Sequence, residues 1–293
     1  IQPFARSFEM KEACYAATAA LDYAKLHVEK FPQSKVLVIA SDIAKYGIGT
    51  PGEPTQGAGA VAMLITQNPR VLSFNDDNVA QTRDVMDFWR PNYATTPFVN
   101  GIYSTQQYLD SLKTTWAEYQ KRTGLALTDF AAICFHLPYP KLALKGLKKI
   151  LDKSVSEEKK DQLQYNFDQS ILYSQRVGNI YTGSLFLGLL SLLENDPQLK
   201  AGDRIALFSY GSGAVSEIFS ANLVPGFEQL LDHKRMEKLD QRTVLSVADY
   251  ERLFYEEVDL DPSGNQVFEP ATHQTFALTE IKEHQRTYQK VEK

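Results

Sequence analysis

Two stretches of this chain align without a gap, "GAGAVAMLI" (Gly57–Ile65) and "GSGAVSEIF" (Gly211–Phe219). Each is preceded by a β-branched or apolar strand pattern, "KVLVIASDIA" (Lys35–Ala44) and "DRIALFSYG" (Asp203–Gly211). Each strand is preceded in turn by a helix of small residues, "SFEMKEACYAATAAL" (Ser7–Leu21) and "GNIYTGSLFLGLLSLL" (Gly178–Leu193). A repeat of small-residue helix, strand, glycine-rich turn and strand specifies two copies of one α/β unit stacked on each other. The small residues have a physical reason. A helix held between two sheets has no solvent face and carries no amphipathic stripe, and alanine, glycine and serine let backbones approach closely. The fold class expected is therefore α/β, with two repeated halves and buried helices between mixed sheets. Chance likeness of Gly/Ala-rich strands is the competing explanation.

The remaining segments read as connectors. Tyr103–Gly124 has the spacing of an amphipathic helix, Leu127–Pro140 reads as a short buried strand broken by prolines, and Pro140–Lys153 as a lysine-rich helix. "VSEEKKDQ" (Val155–Gln162) reads as a solvated charged turn, and the tail His273–Val291 alternates in places like an edge strand. The chain has 293 residues, 43% hydrophobic and 23% charged, which is globular composition. A net charge of −5 supplies no global basic field for nucleic acid. Two cysteines, Cys14 and Cys134, make no disulfide framework and fit a reducing cytosol, so the expected location is the cytoplasm. The longest apolar run, near Ser184–Leu193, is too short to span a bilayer. Five scattered histidines form no metal-ligand spacing, so no metal is expected.

Three residues combine into a chemistry. Cys14 stands at the head of an alanine-rich helix, where unsatisfied N–H groups and the helix dipole lower a thiol pKa below its free value of roughly 8.5. Cys14 also fits a small buried residue, and Cys134, in mid-strand, reads as core. His136 lies where "AAICF" gives way to "HLPYPK", a position that faces a cleft or holds a core histidine. Asn179 opens the second repeat's helix, where its amide either donates to a thioester oxygen or caps the helix. A Cys–His–Asn trio points to acyl transfer through a thioester. Lys141 and Lys145 share one helical face with Lys148 and Lys149 nearby; such a face holds phosphates or is simply solvated.

Beyond the residue chemistry, the chain resembles the hydroxymethylglutaryl-coenzyme A synthase family, bacterial type, of the thiolase superfamily. The resemblance runs from Ser7 to Ile281 through "SFEMKEACYAATAAL", "SDIAKYG", "EPTQGAGAVAML", "DFWRP", "FHLPYPK", "QRVGNIYTGSLFLGL", "LFSYGSGA" and "FALTEI". It implies a thiolase-like fold whose first half is incomplete here, with residues 1–70 the remainder of that half and 71–293 the connecting region and second half. It also implies condensation of acetyl-CoA with acetoacetyl-CoA to 3-hydroxy-3-methylglutaryl-CoA, in the mevalonate pathway to isoprenoids. By resemblance Cys14 is the acetylated nucleophile, His136 holds the acetoacetyl carbonyl, and Asn179 belongs to the "GN.YT" motif beside Tyr181. Lys141 and Lys145 match coenzyme A contacts. Thr55, Ser104 and Ser212 match residues lining the substrate site, and Asp42 and Asp87 match acidic positions near it. No cofactor beyond the CoA substrates is implied, and the fold's usual pairing implies a homodimer. Two rival readings are a chain-initiating ketoacyl-ACP synthase, which lacks the "HLPYPK" pattern, and a non-catalytic piece that functions with a further segment.

One departure from the family pattern is chemical. The chain begins "IQPFARSF", without Met, and the family's general acid/base glutamate belongs to a segment upstream of anything here. Glu9 and Glu12 are too near Cys14 to replace it. Acetylation requires a thiol and an oxyanion site, whereas condensation requires a base for the acetyl methyl proton, and a positioned base contributes roughly 10²–10⁴-fold. Residues 1–293 alone are accordingly expected to form acetyl-Cys14 and stall, with little hydroxymethylglutaryl-CoA detected by mass spectrometry. Full condensation by this chain would show that Asp42 or Asp87 moves the proton.

Overall fold

The computed structural model describes residues 3–94, 97–256, 258, 260–269 and 276–291. They form two compact units, Ile1–Gln241 and Arg242–Lys293.

In the larger unit both repeats are present as helix, strand and antiparallel strand. The first is α1 (Ala16–Lys30), β1 (Val36–Ala44) and β2 (Gly57–Ile65), with Ala40 opposite Val61 and Asp42 opposite Gly59. β3 (Leu72–Phe74), β4 (Val79–Thr82) and the short pair β5 (Phe88–Trp89) and β6 (Phe98–Val99) lead to α2 (Gly101–Thr123). Then come β7 (Ala132–Phe135), α3 (Pro140–Ile150), α4 (Glu157–Ser170) and α5 (Leu172–Val177). The second repeat is α6 (Gly183–Asn195), β8 (Arg204–Gly211) and β9 (Val215–Leu223), followed by α7 (Arg235–Asp240). The main sheet has the order β3-β9-β8-β7, with β4 also on β9, and it is mixed because β7 runs parallel to β8. The repeats differ in one detail. Ala58–Ala60 already pair with β1, whereas their counterparts Ser212–Ala214 form the turn between β8 and β9.

Alternation along the central strands separates two cores. Ile133, Phe135, Ala206 and Phe208 face Tyr108 and Leu112 of α2, Leu147 of α3 and Phe167 of α4. Cys134, Ile205, Leu207 and Phe219 face Leu21 and Ala24 of α1 and Leu185, Phe186 and Leu192 of α6, with Val38 and Ala40 of β1 beyond. The helices of the two repeats therefore form a layer between the β1–β2 hairpin and the main sheet. α6 has no exposed residue. Its glycines set the spacing: a Cβ on Gly183 would lie 3.5 Å from the Ala40 Cβ, and one on Gly188 would lie 3.1 Å from a Leu137 methyl.

Several expectations need correction. α1 is not buried all round; Tyr23 and Leu26 are exposed, because the described strands cover only the face carrying Ala17, Leu21, Ala24 and Val28. The helix begins at Ala16, so Cys14 stands two residues before it. The charged stretch after Val155 is not a turn but the start of α4, where the Ser156 hydroxyl accepts the Lys159 N–H and Glu157 and Glu158 favour the helix's positive end. In the smaller unit, α8 (Val247–Tyr255) precedes an antiparallel sheet of β10 (Gln266–Val267), β11 (Phe276–Lys282) and β12 (Gln285–Lys290). The tail is thus a hairpin rather than one edge strand, and residues 273–275 of that reading lie outside the described residues.

The two repeats touch backbone to backbone. Gly178 has φ +85°, and a Cβ there would run into the Gln56 carbonyl; a Cβ on Gly57 would lie 2.5 Å from the Val177 carbonyl. The Asn179 N–H donates to the Thr55 carbonyl at 2.9 Å. Gly178→Ala is expected to cost at least about 2 kcal/mol in urea unfolding, the size of an overpacked contact plus a left-handed residue. Gly49→Ala is the control, since Gly49 shares a positive φ of +74° but has open space around it. Equal losses in the two variants would show that the close approach contributes nothing.

Candidate active site

Cys14 occupies a tight turn. The Tyr15 N–H donates to the Glu12 carbonyl at 2.9 Å, and Ala13, directly before the cysteine, is held at φ +42°. A non-glycine residue in the left-handed region costs on the order of 1 kcal/mol and persists only where its surroundings enforce it. Gly211, the last residue of β8, provides that surrounding: a Cβ there would meet the Tyr15 Cβ at 2.7 Å and the Glu12 carbonyl at 2.8 Å. The two helix heads are joined, because the Ala17 N–H of α1 donates to the Thr182 hydroxyl, next to α6, at 2.8 Å. Inside the layer the Thr18 hydroxyl donates to that of Ser209 at 2.8 Å.

The helix-head argument predicts a lowered thiol pKa, and the structure corrects it. Cys14 keeps part of its surface open, yet its thiol is pushed up to about 12, first by burial and then by the carboxylates of Asp42 and Asp87. The helix end has little left to offer, since one of its free N–H groups is already bonded to Thr182 and the cysteine lies outside the first turn. Asp87 is fully buried; it accepts from the Tyr210 hydroxyl at 2.7 Å, the Ser212 hydroxyl at 3.0 Å and the Gly213 N–H at 3.2 Å. Asp42 lies at the end of β1, its carboxyl raised above the ordinary range by partial burial, with the Ile43 N–H bond opposing the rise.

Asn179 is the hub of the second repeat's entry. Its carbonyl oxygen accepts from the Tyr181 N–H and the Ser184 hydroxyl, both at 2.9 Å, and its amide donates to the Tyr46 hydroxyl at 3.1 Å. Thr55 stands behind it, with its hydroxyl donating to the Gly52 carbonyl at 2.7 Å. Tyr181 is held at φ +48°, packed edge-on to Tyr46; its phenol is pushed up first by burial and then by Tyr46, with Cys14 and Asp42 also acting on it. Tyr46, Gln56 and Tyr210 escaped the sequence reading. The available signal for Tyr46 was an aromatic between a strand end and "GIG"; its N–H is fixed by the Gln56 side chain at 2.5 Å.

His136 continues β7, its N–H donating to the Phe208 carbonyl at 2.7 Å. It is 2% exposed, and burial pushes its pKa down to about 3, so the ring is neutral near pH 7. Its Nδ1 is buried without a hydrogen-bond partner among the described residues. Such an atom calls for a ligand or water. No hydrogen bond among the described residues joins His136 to Cys14 or Asn179. Ser104, half-buried in the first turn of α2, and the exposed Lys141 and Lys145 of α3 likewise make no bond to the cysteine turn. Neither lysine has an ion-pair partner among the described residues. Among those residues no three His, Cys, Asp or Glu side chains gather as a metal site, and no helix is long and apolar enough to cross a membrane.

The fold, with a cysteine at the junction of two α/β repeats, an asparagine at the entry of the second and a neutral histidine at the end of β7, is that of an acyl-transferring condensing enzyme of thiolase-like fold. The chain belongs to the hydroxymethylglutaryl-CoA synthase family. The family's N-terminal profile, "Hydroxymethylglutaryl-coenzyme A synthase N terminal", matches residues 6–70, and its C-terminal profile matches 78–163 and 147–291. The chain is 53% identical to hydroxymethylglutaryl-CoA synthase of Enterococcus faecalis, over 89% of this chain and 68% of the relative. It is 35% identical to a polyketide-biosynthesis 3-hydroxy-3-methylglutaryl-ACP synthase of Bacillus subtilis (strain 168), over 85% of this chain and 63% of that one. A crystal structure of an HMG-CoA synthase complexed with CoA superposes with TM-score 0.96 at 68% identity, covering 99% of this chain and 75% of that chain. The chain thus spans about two thirds of the length of these curated relatives. The expected family and fold are borne out, and the ketoacyl-ACP synthase reading falls away.

The histidine yields a pH expectation. Its folded pKa, about 3, lies below the unfolded value near 6.5, so the unfolded chain takes up a proton that the native state refuses. The stability contributed by keeping His136 neutral is complete above pH ~6.5 and falls as the pH drops toward 3. In an NMR titration the His136 ring signals should stay unshifted from pH 8 to 5, whereas an inflection near 6.5 would contradict its burial.

Proposed function

We propose that the protein condenses acetyl-CoA with acetoacetyl-CoA to give 3-hydroxy-3-methylglutaryl-CoA through acetyl-Cys14. The observation that carries this reading is the strained cysteine turn clamped between the two repeats, in a chain so similar to an HMG-CoA synthase crystallised with CoA. The Cys14 sulfur forms a bond to the acetyl carbonyl carbon, the CoA sulfur leaves, and the thiol proton ends on that sulfur. Backbone N–H groups stabilise the oxyanion. With a thiol pKa near 12, attack and proton removal go together rather than from a resting thiolate.

A base then takes a proton from the acetyl methyl group, the methylene carbon bonds to the ketone carbon of acetoacetyl-CoA, and the base returns the proton to the new alkoxide. Water cleaves the Cys14 thioester and frees the product. The resemblance assigns the base to a glutamate upstream of Cys14. Asp42 and Asp87 keep an electrostatic part, adding to burial in raising the Cys14 thiol. His136 suits the ketone: a neutral imidazole offers an N–H to the oxygen without surrendering the proton. Thr55 and Ser184 fix Asn179, and through it Tyr181, beside the acetyl group. Ser104 and Ser212 line the substrate site, and Lys141 and Lys145 hold coenzyme A phosphates. The chemistry calls for no metal or redox cofactor. By family likeness the working form is a cytoplasmic homodimer. Because the B. subtilis relative is named for an ACP-linked substrate, acetyl-ACP is the competing donor.

Cys14→Ser should retain the fold and lose the added acetyl mass seen after incubation with acetyl-CoA. Lys141→Ala/Lys145→Ala should raise KM for acetyl-CoA roughly three- to tenfold, as expected for two exposed charge contacts. The effect should be larger at low salt, and the short N-acetylcysteamine thioester should be unaffected. Equal harm to both donors would make the lysines structural, and acetylation by acetyl-ACP alone would replace CoA with the carrier protein.

A further inference from the structure

Among the described residues, Glu217 is the one buried carboxylate near the cysteine turn to which the mechanism gives no part. It lies on β9 between Ser209 of β8 and Ala80 of β4, 4% exposed. Its Oε2 accepts the Tyr15 phenol at 2.5 Å and its Oε1 accepts the Asn78 side-chain amide at 2.5 Å. No cation lies within ion-pair distance of it among the described residues. Burying an unpaired carboxylate is expensive, and two short hydrogen bonds are what offsets the loss of water here. Both go to groups far away in the chain, and one of them is the residue next to Cys14.

The turn needs such a hold. Ala13 is in the left-handed region, Gly211 presses against the turn, and the Tyr15–Glu12 bond is internal to it. Left to itself, a turn with an alanine at φ +42° relaxes toward negative φ, which swings the sulfur away. The charges acting on the Cys14 thiol are those of Asp42 and Asp87 rather than Glu217. We infer that Glu217, itself gripped by Asn78, is a positioning residue that anchors the Tyr15 phenol and thereby holds the Cys14 turn in its reactive shape. The inference rests on the reading of Cys14 as nucleophile. It adds a polar clamp, built from β9 and the segment before β4, to the machinery of that site.

Three variants, Tyr15→Phe, Glu217→Ala and Glu217→Gln, with the Tyr15→Phe/Glu217→Ala double variant, test the clamp. Tyr15→Phe and Glu217→Ala should each slow Cys14 acetylation at saturating acetyl-CoA by about 10²-fold, the cost of a misplaced reacting atom, with KM within about twofold of native. The double variant should be no slower than the slower single, because both remove one contact. Glu217→Gln keeps an oxygen for the phenol and should recover most of the rate. Alkylation of Cys14 by iodoacetamide reads the turn without any acyl substrate; it should quicken in the two disruptive variants as the turn opens and return to native in Glu217→Gln.

Native acetylation and alkylation in Tyr15→Phe would overturn the inference, as would additive losses in the double variant. If Glu217→Ala fails to fold, Tyr15→Phe, which removes one oxygen atom, still decides between the outcomes. If the unaltered protein is not acetylated by acetyl-CoA, the proposed function fails, while the alkylation series still reports whether the clamp exists.

Discussion

The contact between the Gln56–Gly57 backbone and Val177–Gly178 is the constraint on which the site depends. It brings the two repeats closer than any side chain allows, and it places Asn179 against Thr55 and Thr182 against the start of α1. Each half offers an incomplete set of groups: the first has the cysteine, Asp42 and Tyr46, and the second has Asn179, Tyr181 and Ser212. Stacking the repeats makes one site of them. The same logic explains the small residues of α6, whose packing between sheets sets the distance at which that stacking occurs.

The local electrostatics run against the simplest picture of a helix-activated thiol. Two carboxylates and burial outweigh a dipole that acts only within about one turn of the helix end. His136, by contrast, is shaped by burial alone, which leaves it uncharged and one of its nitrogens unpartnered. A buried polar atom without a partner in the fold costs stability, and a substrate oxygen is well suited to meet it.

Much of this was legible in the sequence where the signal was local. The aligned glycine-rich stretches disclosed the repeats and small-residue helices disclosed the buried layer, but Cys14 and Asn179 stand two and four residues before α1 and α6 rather than at the helix heads. What escaped depends on residues distant in the chain. Glu217 in "VSEIF" carries no local sign of burial, and Tyr15 and Asn78, 202 and 139 positions away, make its burial tolerable. Asp42 and Asp87 were noticed by resemblance, but their effect on the thiol required geometry. α4 is harder to see for a different reason: its run of charges fits a solvated turn as well as a helix, and its start is marked only by Ser156, a good helix-start residue followed by two glutamates.

The raised thiol also bears on survival between turnovers. At pH 7 a group with a pKa near 12 is ionised in only about one molecule in 10⁵. Peroxides and disulfides react with thiolates, so a resting Cys14 gives such oxidants little to attack even though part of its surface remains open. An acyl donor supplies both the electrophile and a destination for the proton that the resting thiol keeps.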